Sequence, residues 1–146
     1  MALNDMEDET QNRNSVSGTQ KNPDRGSLEI ETILVVDDEE LIRILTEGFL
    51  EHLGYKVLLA VCGEDAVDIF KEKSTQIQLV LSDITMSGID GIETIRQLRQ
   101  IAPDLRAIIS SGYTHERIDS FPEKTVFLPK PYSIEELQTA ISAISE

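Results

Sequence analysis

Cysteine occurs once, as Cys62, so no disulfide can form within the chain, and a reducing compartment fits that usage best. Lying in an apolar stretch, this thiol is expected to pack rather than react. Bases are scarce as well. Lys and Arg number 13 against 27 Asp and Glu, a formal charge of −14, and they form no cluster. Nucleic-acid binding by phosphate neutralisation needs such a cluster, so no direct nucleic-acid contact is expected. An acidic chain repels phosphate-rich surfaces in general, and only a local cation site would reverse that. No apolar run approaches the ~18 residues of a membrane span. The first residues are acidic where a secretory leader would be basic and then apolar. A cytoplasmic protein without membrane contact is the expectation. Neither G-x-G-x-x-G nor G-x-x-x-x-G-K-[ST] occurs, which removes the common nucleotide-cradling loops, and there is no internal repeat.

What is present suits one domain with one core: 146 residues, 40% hydrophobic and 27% charged. Residues 1–30 read as a disordered tail or linker. Up to about Ser27 they are polar, rich in Asn, Ser, Gln and Asp, and without either period of regular structure. The domain is expected over 31–146, as five strand–helix pairs. Thr32–Val36 is apolar on both faces, like a central parallel strand. A helix over about Glu40–Leu53 would turn Ile42, Leu45, Phe49 and Leu53 inward, and Gly54 would stop it. Tyr55–Ala60 is strand two, and Gly63–Lys73 is helix two, with Ala66, Ile69 and Phe70 inward. Strand three climbs through Leu79-Val80-Leu81-Ser82 to Asp83 and breaks at once into a Ser- and Gly-containing loop. A third helix follows Asp90-Gly91, with Ile92, Ile95 and Leu98 inward. Ala107–Ser111 is strand four, Tyr113–Ser120 leaves room only for a short helix, and Thr125–Leu128 is strand five. The last helix opens on Ser133-Ile134-Glu135-Glu136, which has capping-box spacing, and carries the stripe Ile134, Leu137, Ile141, Ile144. The expected fold is α/β: a three-layer α/β/α sandwich, flavodoxin-like, with a (βα)5 doubly wound parallel sheet of order 2-1-3-4-5.

Ligands bind such sheets beyond the carboxyl ends of the strands. Strand one ends in Asp37 and Asp38, strand three in Asp83, strand four in Ser111, and strand five leads to Lys130 between two prolines. Taken alone, Asp37 and Asp38 could be turn or helix-capping residues. Taken together, three carboxylates at adjacent strand ends repel unless a cation joins them, and hard oxygen donors favour Mg²⁺ or Mn²⁺. Lys130 can pair with Asp83 or bind an incoming anion. A carboxylate nucleophile, a metal, a lysine and a hydroxyl make a phosphoryl site.

In these motifs the chain resembles the response-regulator receiver domain of two-component and phosphorelay signalling, over about Glu31 to Glu146. Val35-Val36-Asp37-Asp38-Glu39 resembles the family's acidic metal-binding corner. Asp83 falls on the phospho-accepting aspartate, followed by Met86, Asp90 and Gly91 of the expected loop. Ser111-Gly112 is similar to the switch hydroxyl and its small neighbour, Phe127 to the aromatic switch position, and Lys130-Pro131 to the family's lysine with a cis peptide bond. The resemblance also implies that the Thr85 carbonyl ligates the metal. It implies a phospho-acceptor with self-catalysed phosphorylation and dephosphorylation, not a turnover enzyme. Its partners would be a histidine kinase or phosphotransfer protein upstream and a protein target downstream. Ser111 moving toward the phosphoryl group would let Phe127 turn inward and change the face around strand five. With no room for an output domain after the last helix, a stand-alone receiver or the terminal receiver of a hybrid kinase is expected. Two departures stand out. Ser87 occupies a position where the family usually has proline, which predicts a looser loop and metal site, and the segment from Ser111 to Lys130 is short.

Two other functions compete. A haloacid-dehalogenase-type phosphatase would want an acid two residues after the nucleophile, and Thr85 stands there. A receiver-like interaction module that is never phosphorylated would keep the fold and dispense with the chemistry.

Overall fold

Thr32–Val36 is buried along its whole length, as a strand with apolar side chains on both faces must be. It forms β1, the second strand of a five-stranded parallel sheet. The computed structural model describes residues 29–112 and 123–145. In order they form β1, α1 (Glu40–His52), β2 (Lys56–Ala60), α2 (Gly63–Lys73), a 3₁₀ turn at Ser74–Gln76, β3 (Leu79–Asp83), α3 (Gly91–Ile101), β4 (Arg106–Ser111), β5 (Thr125–Pro129) and α4 (Ile134–Ser145). Residues 1–28 of the expected tail, and the short helix expected at Tyr113–Ser120, lie outside the described residues. The strands pair in the order β2-β1-β3-β4-β5, as the doubly wound pattern predicts, and the fold is flavodoxin-like.

Alternation along each strand sends side chains to two cores. Leu34, Val36, Val80, Ala107 and Ile109 face α2 and α3, where Ala66, Phe70, Ile95 and Leu98 are buried against them. Ile33, Val35, Leu79, Leu81, Ile108 and Leu128 face α1 and α4, meeting Leu50, Leu137, Ile141 and Ile144. Burying one such side chain contributes about 1.5–3 kcal/mol, so the two faces together hold the strand ends in place. The caps follow the sequence signals. Ser133 and Glu136 form the reciprocal capping box at α4, with Glu136 N–H donating to Ser133 Oγ at 3.0 Å and Ser133 N–H to Glu136 Oε1 at 2.9 Å. Asp90 caps α3 through Glu93 N–H at 2.8 Å. Gly54, at φ +101°, follows the end of α1.

Cys62 also caps α2, its Sγ accepting from Asp65 N–H at 3.4 Å. One expectation needs correction. Leu45 is not a core residue of α1: it is 52% exposed, and Thr46 and Leu50 are the buried positions. What permits the burial of Thr46 is distant in sequence. Thr46 Oγ1 lies 2.7 Å from the Tyr132 hydroxyl, so this inward-facing polar side chain has the hydrogen-bond partner that its burial requires. No helix among the described residues is long and apolar enough to cross a membrane.

Candidate functional site

β1 and β3 are adjacent, so the residues leaving their carboxyl ends share one cleft. Asp37, immediately after β1, is 4% exposed. Its Oδ1 accepts the Glu39 N–H at 2.9 Å, closing the turn into α1, while its carbonyl accepts from Arg43 Nη1 at 2.8 Å. Asp37 therefore does have the turn-forming role considered for it, in addition to facing the cleft. Asp38 is exposed at the rim, and Asp83 ends β3. One carboxylate oxygen from each of the three lies within 4.8 Å of the other two.

Lys130 enters from β5. Its N–H donates to the Ser111 carbonyl at 3.0 Å, extending the β4–β5 ladder by one bond, and the Lys130-Pro131 peptide is cis as expected. Its Nζ lies 2.9 Å from Asp37 Oδ2 and 3.4 Å from Asp83 Oδ1. Three carboxylates against this one ammonium leave two uncompensated negative charges in the cluster, the amount that a divalent cation neutralises. The donors are hard oxygens without a competing thiolate or imidazole in the cluster, so the residues present fit Mg²⁺.

The protonation states record the same crowding. Burial, followed by the charges of Asp37 and Asp38, pushes the Asp83 carboxyl up to about 6 against the pull of Lys130. Burial opposes the charge on Lys130, but the hydrogen bond and charge of Asp37 and the charge of Asp83 outweigh it and hold the ammonium above its usual value.

The remaining predicted residues flank this centre. Ser111 is buried at the end of β4, beside Pro129 of β5. Phe127 pairs in register with Ile109 and packs, partly buried, on the core facing α2 and α3. Thr85 is exposed in the loop after β3. Ser110, opposite Asp83 in the β3–β4 register, buries a hydroxyl that has no hydrogen-bond partner among the described residues.

Sequence reasoning missed three supports: Arg43 on the Asp37 carbonyl, Ser87 on Asp38, and the Thr46–Tyr132 pair behind Lys130. The last makes a clear prediction. Tyr132→Phe removes the hydroxyl facing Thr46 and is expected to cost about 1 kcal/mol in urea unfolding, much of which Thr46→Val restores in the double variant. Additive losses would mean that the two side chains act separately.

An open parallel sheet with an acidic cleft at its switch point, and a lysine reaching in from the last strand, defines a flavodoxin-like fold with a charged site beyond its strand ends. Residues 33–142 match the family model of the response regulator receiver domain, and the chain belongs to that family, which serves two-component and phosphorelay systems. It is 35% identical over 118 residues to the sensor kinase CckA of Brucella abortus, covering 79% of this chain but 12% of that kinase. It is 33% identical to sporulation initiation phosphotransferase F of Bacillus subtilis, covering 76% of this chain and 90% of that protein. Among solved structures, the response regulator TrrA of Thermotoga maritima, in complex with Mg²⁺-BeF, aligns with a TM-score of 0.70 at 33% identity, covering 79% of this chain and 99% of that one.

Proposed function

We propose that this chain accepts a phosphoryl group on Asp83 from a phosphohistidine in a cytoplasmic two-component or phosphorelay pathway. The observation that carries the reading is the lysine ammonium seated between two of three clustered carboxylates. Asp83 supplies the nucleophile. A carboxylate oxygen attacks phosphorus, the P–N bond breaks, and the imidazole leaves with the electron pair. With its carboxyl at about 6, Asp83 remains mostly ionised near pH 7 and is a competent nucleophile. Asp37 and Asp38, with Asp83 and the Thr85 carbonyl, would hold Mg²⁺, whose part is to offset negative charge on the phosphoryl oxygens. Lys130 can turn from Asp37 and Asp83 toward the added phosphoryl group, and the Ser111 hydroxyl can follow. Phe127, two strands from Asp83, is then the side chain whose repacking would carry the change to the face around β5, where a downstream protein would read it.

Mg²⁺ and acetyl phosphate should add one phosphoryl group to the intact mass, and the adduct should be absent in Asp83→Asn and without Mg²⁺. Repeated phosphate release would mark a phosphatase. No adduct, under conditions that label a known receiver, would mark an interaction module and sink this proposal.

The donor must cover the cleft rim to deliver its phosphoryl group, and the rim has an apolar side. Leu41, Ile44 and Leu45 are 79%, 53% and 52% exposed, and exposed Gly48 extends their i, i+3, i+4, i+7 stripe along α1. Leu41 follows Asp38 by three residues. A helix of the phosphodonor is the occupant we assign to this stripe. Leu45→Glu should therefore slow transfer from a phosphohistidine carrier protein by about tenfold or more, while acetyl phosphate labels the variant normally. Equal slowing with both donors would exclude the stripe as a docking face.

A further inference from the structure

The loop leaving β3 is held at two backbone N–H groups by carboxylates from elsewhere in the chain. Ser87 N–H donates to Asp38 Oδ2 at 3.2 Å, and the Ser87 hydroxyl lies 3.5 Å from the same oxygen. Two residues on, Ile89 N–H donates to Glu64 Oε2 at 3.3 Å. Between them Gly88 turns the loop at φ +81°, with the Glu64 carboxylate against it. The loop that was expected to be loose is thus tied to β1's exit on one side and to α2 on the other.

For Asp38 the consequence is larger than for the loop. Asp37 is buried and already fixed by Glu39 and Lys130, and Asp83 ends a strand. Asp38 is the exposed member of the cluster. An exposed aspartate samples several rotamers, and selecting the one that faces an ion costs binding free energy unless a partner has selected it beforehand. The Ser87 N–H is such a partner, and it holds one Asp38 oxygen on the loop side of the cleft. Any residue other than proline can make this contact, because proline has no N–H to give.

We infer that Ser87 is a positioning residue for the divalent cation, acting through its backbone N–H to set the Asp38 carboxylate over the cleft before the ion arrives. The inference rests on the reading of the cleft as a Mg²⁺ site. The side-chain hydroxyl, at 3.5 Å, sits at the limit of hydrogen bonding and is subordinate to the N–H.

The test is a Mg²⁺ titration of the full chain, followed by the amide resonances of the cleft, in the wild type, Ser87→Ala and Ser87→Pro. Alanine keeps the N–H and should bind within about twofold of wild type, while proline should bind roughly three- to tenfold more weakly. Equal binding by the proline variant overturns the inference, and so does an alanine variant as weak as proline. Because proline also restricts Met86, a second measurement uses neither proline nor metal. In the metal-free protein, Asp38→Ala should move the Ser87 amide resonance and speed its hydrogen exchange, leaving the Ile89 amide on Glu64 unchanged. An unmoved Ser87 amide overturns the inference. Failure of the wild type to bind Mg²⁺ at all brings down the cleft reading together with this one, whereas equal Mg²⁺ affinity in all three proteins brings down the role of Ser87 alone.

Discussion

Asp83→Asn is expected to abolish phosphoryl acceptance and, in the absence of metal, to make the protein more stable at neutral pH. Both effects follow from losing the carboxylate: an amide cannot attack phosphorus, and it carries no charge to bury. The carboxyl is buried beside Asp37 and Asp38, so its charged form is disfavoured in the fold, and its pKa rises from 3.8 to about 6. Asparagine keeps the shape of the neutral acid and gives up the charge. At face value the shift is worth about 3 kcal/mol, but water and salt reach the cleft, so roughly 1–2 kcal/mol is the expected gain. The pH dependence has a definite sign. Between the unfolded value near 4 and the folded value near 6, the native wild type binds more protons than the unfolded chain, so its stability falls as pH rises through that window. The advantage of the asparagine variant should therefore be full above about pH 6 and vanish by about pH 4. Urea unfolding in EDTA between pH 4 and 8 reads it directly. Added Mg²⁺ should narrow the gap by stabilising the wild type. An asparagine variant less stable than wild type at pH 7 would mean that the attraction of Lys130 outweighs burial and the neighbouring acids.

The strands and the acids that end them were legible because their causes are local. Thr32–Val36 and Leu79–Asp83 declare themselves by apolar side chains on both faces, and the turn residues after them place Asp37 and Asp83 at the carboxyl ends. Once the order 2-1-3-4-5 is expected, the meeting of Asp37, Asp38, Asp83 and Lys130 follows from topology, and the structure places them together. What was not legible depended on partners far along the chain. α1 carries apolar residues on two sides, and spacing alone put Leu45 inward. Thr46 is buried in its place with the Tyr132 hydroxyl as its partner, and Leu45 faces outward with Leu41 and Ile44. Ser87 likewise read as a residue missing its usual rigidity, because a backbone N–H gains meaning only when a carboxylate from another loop is within reach. The cap made by Cys62 was not legible either, because it depends on the Asp65 N–H turning toward the sulfur.

Two glycine-to-alanine substitutions should act with opposite signs, and the contrast isolates how the cleft is built. Gly48 lies within α1 with open space where a Cβ would be, so alanine there should stabilise by about 0.5–1 kcal/mol through helix propensity alone. Gly91 opens α3, with its N–H on the Ile84 carbonyl at 2.8 Å. A Cβ at Gly91 would overlap the Asp83 carbonyl oxygen and come within 3.0 Å of Asp83 C and Ile84 Cα. All three are backbone atoms, so no side chain can turn aside to make room. Either α3 or the end of β3 must shift, at an expected cost of about 1–3 kcal/mol. The functional loss should exceed the loss of stability, since the atoms displaced belong to the nucleophile's own residue. A misplacement of about 1 Å at a reacting centre can cost on the order of a hundredfold in rate, so Gly91→Ala should be labelled by acetyl phosphate at least about tenfold more slowly even where it is fully folded. Gly48→Ala should be labelled at the wild-type rate. If Gly91→Ala were destabilised but labelled normally, the strain would be relaxing through α3, and the position of Asp83 would not depend on the close approach of that helix.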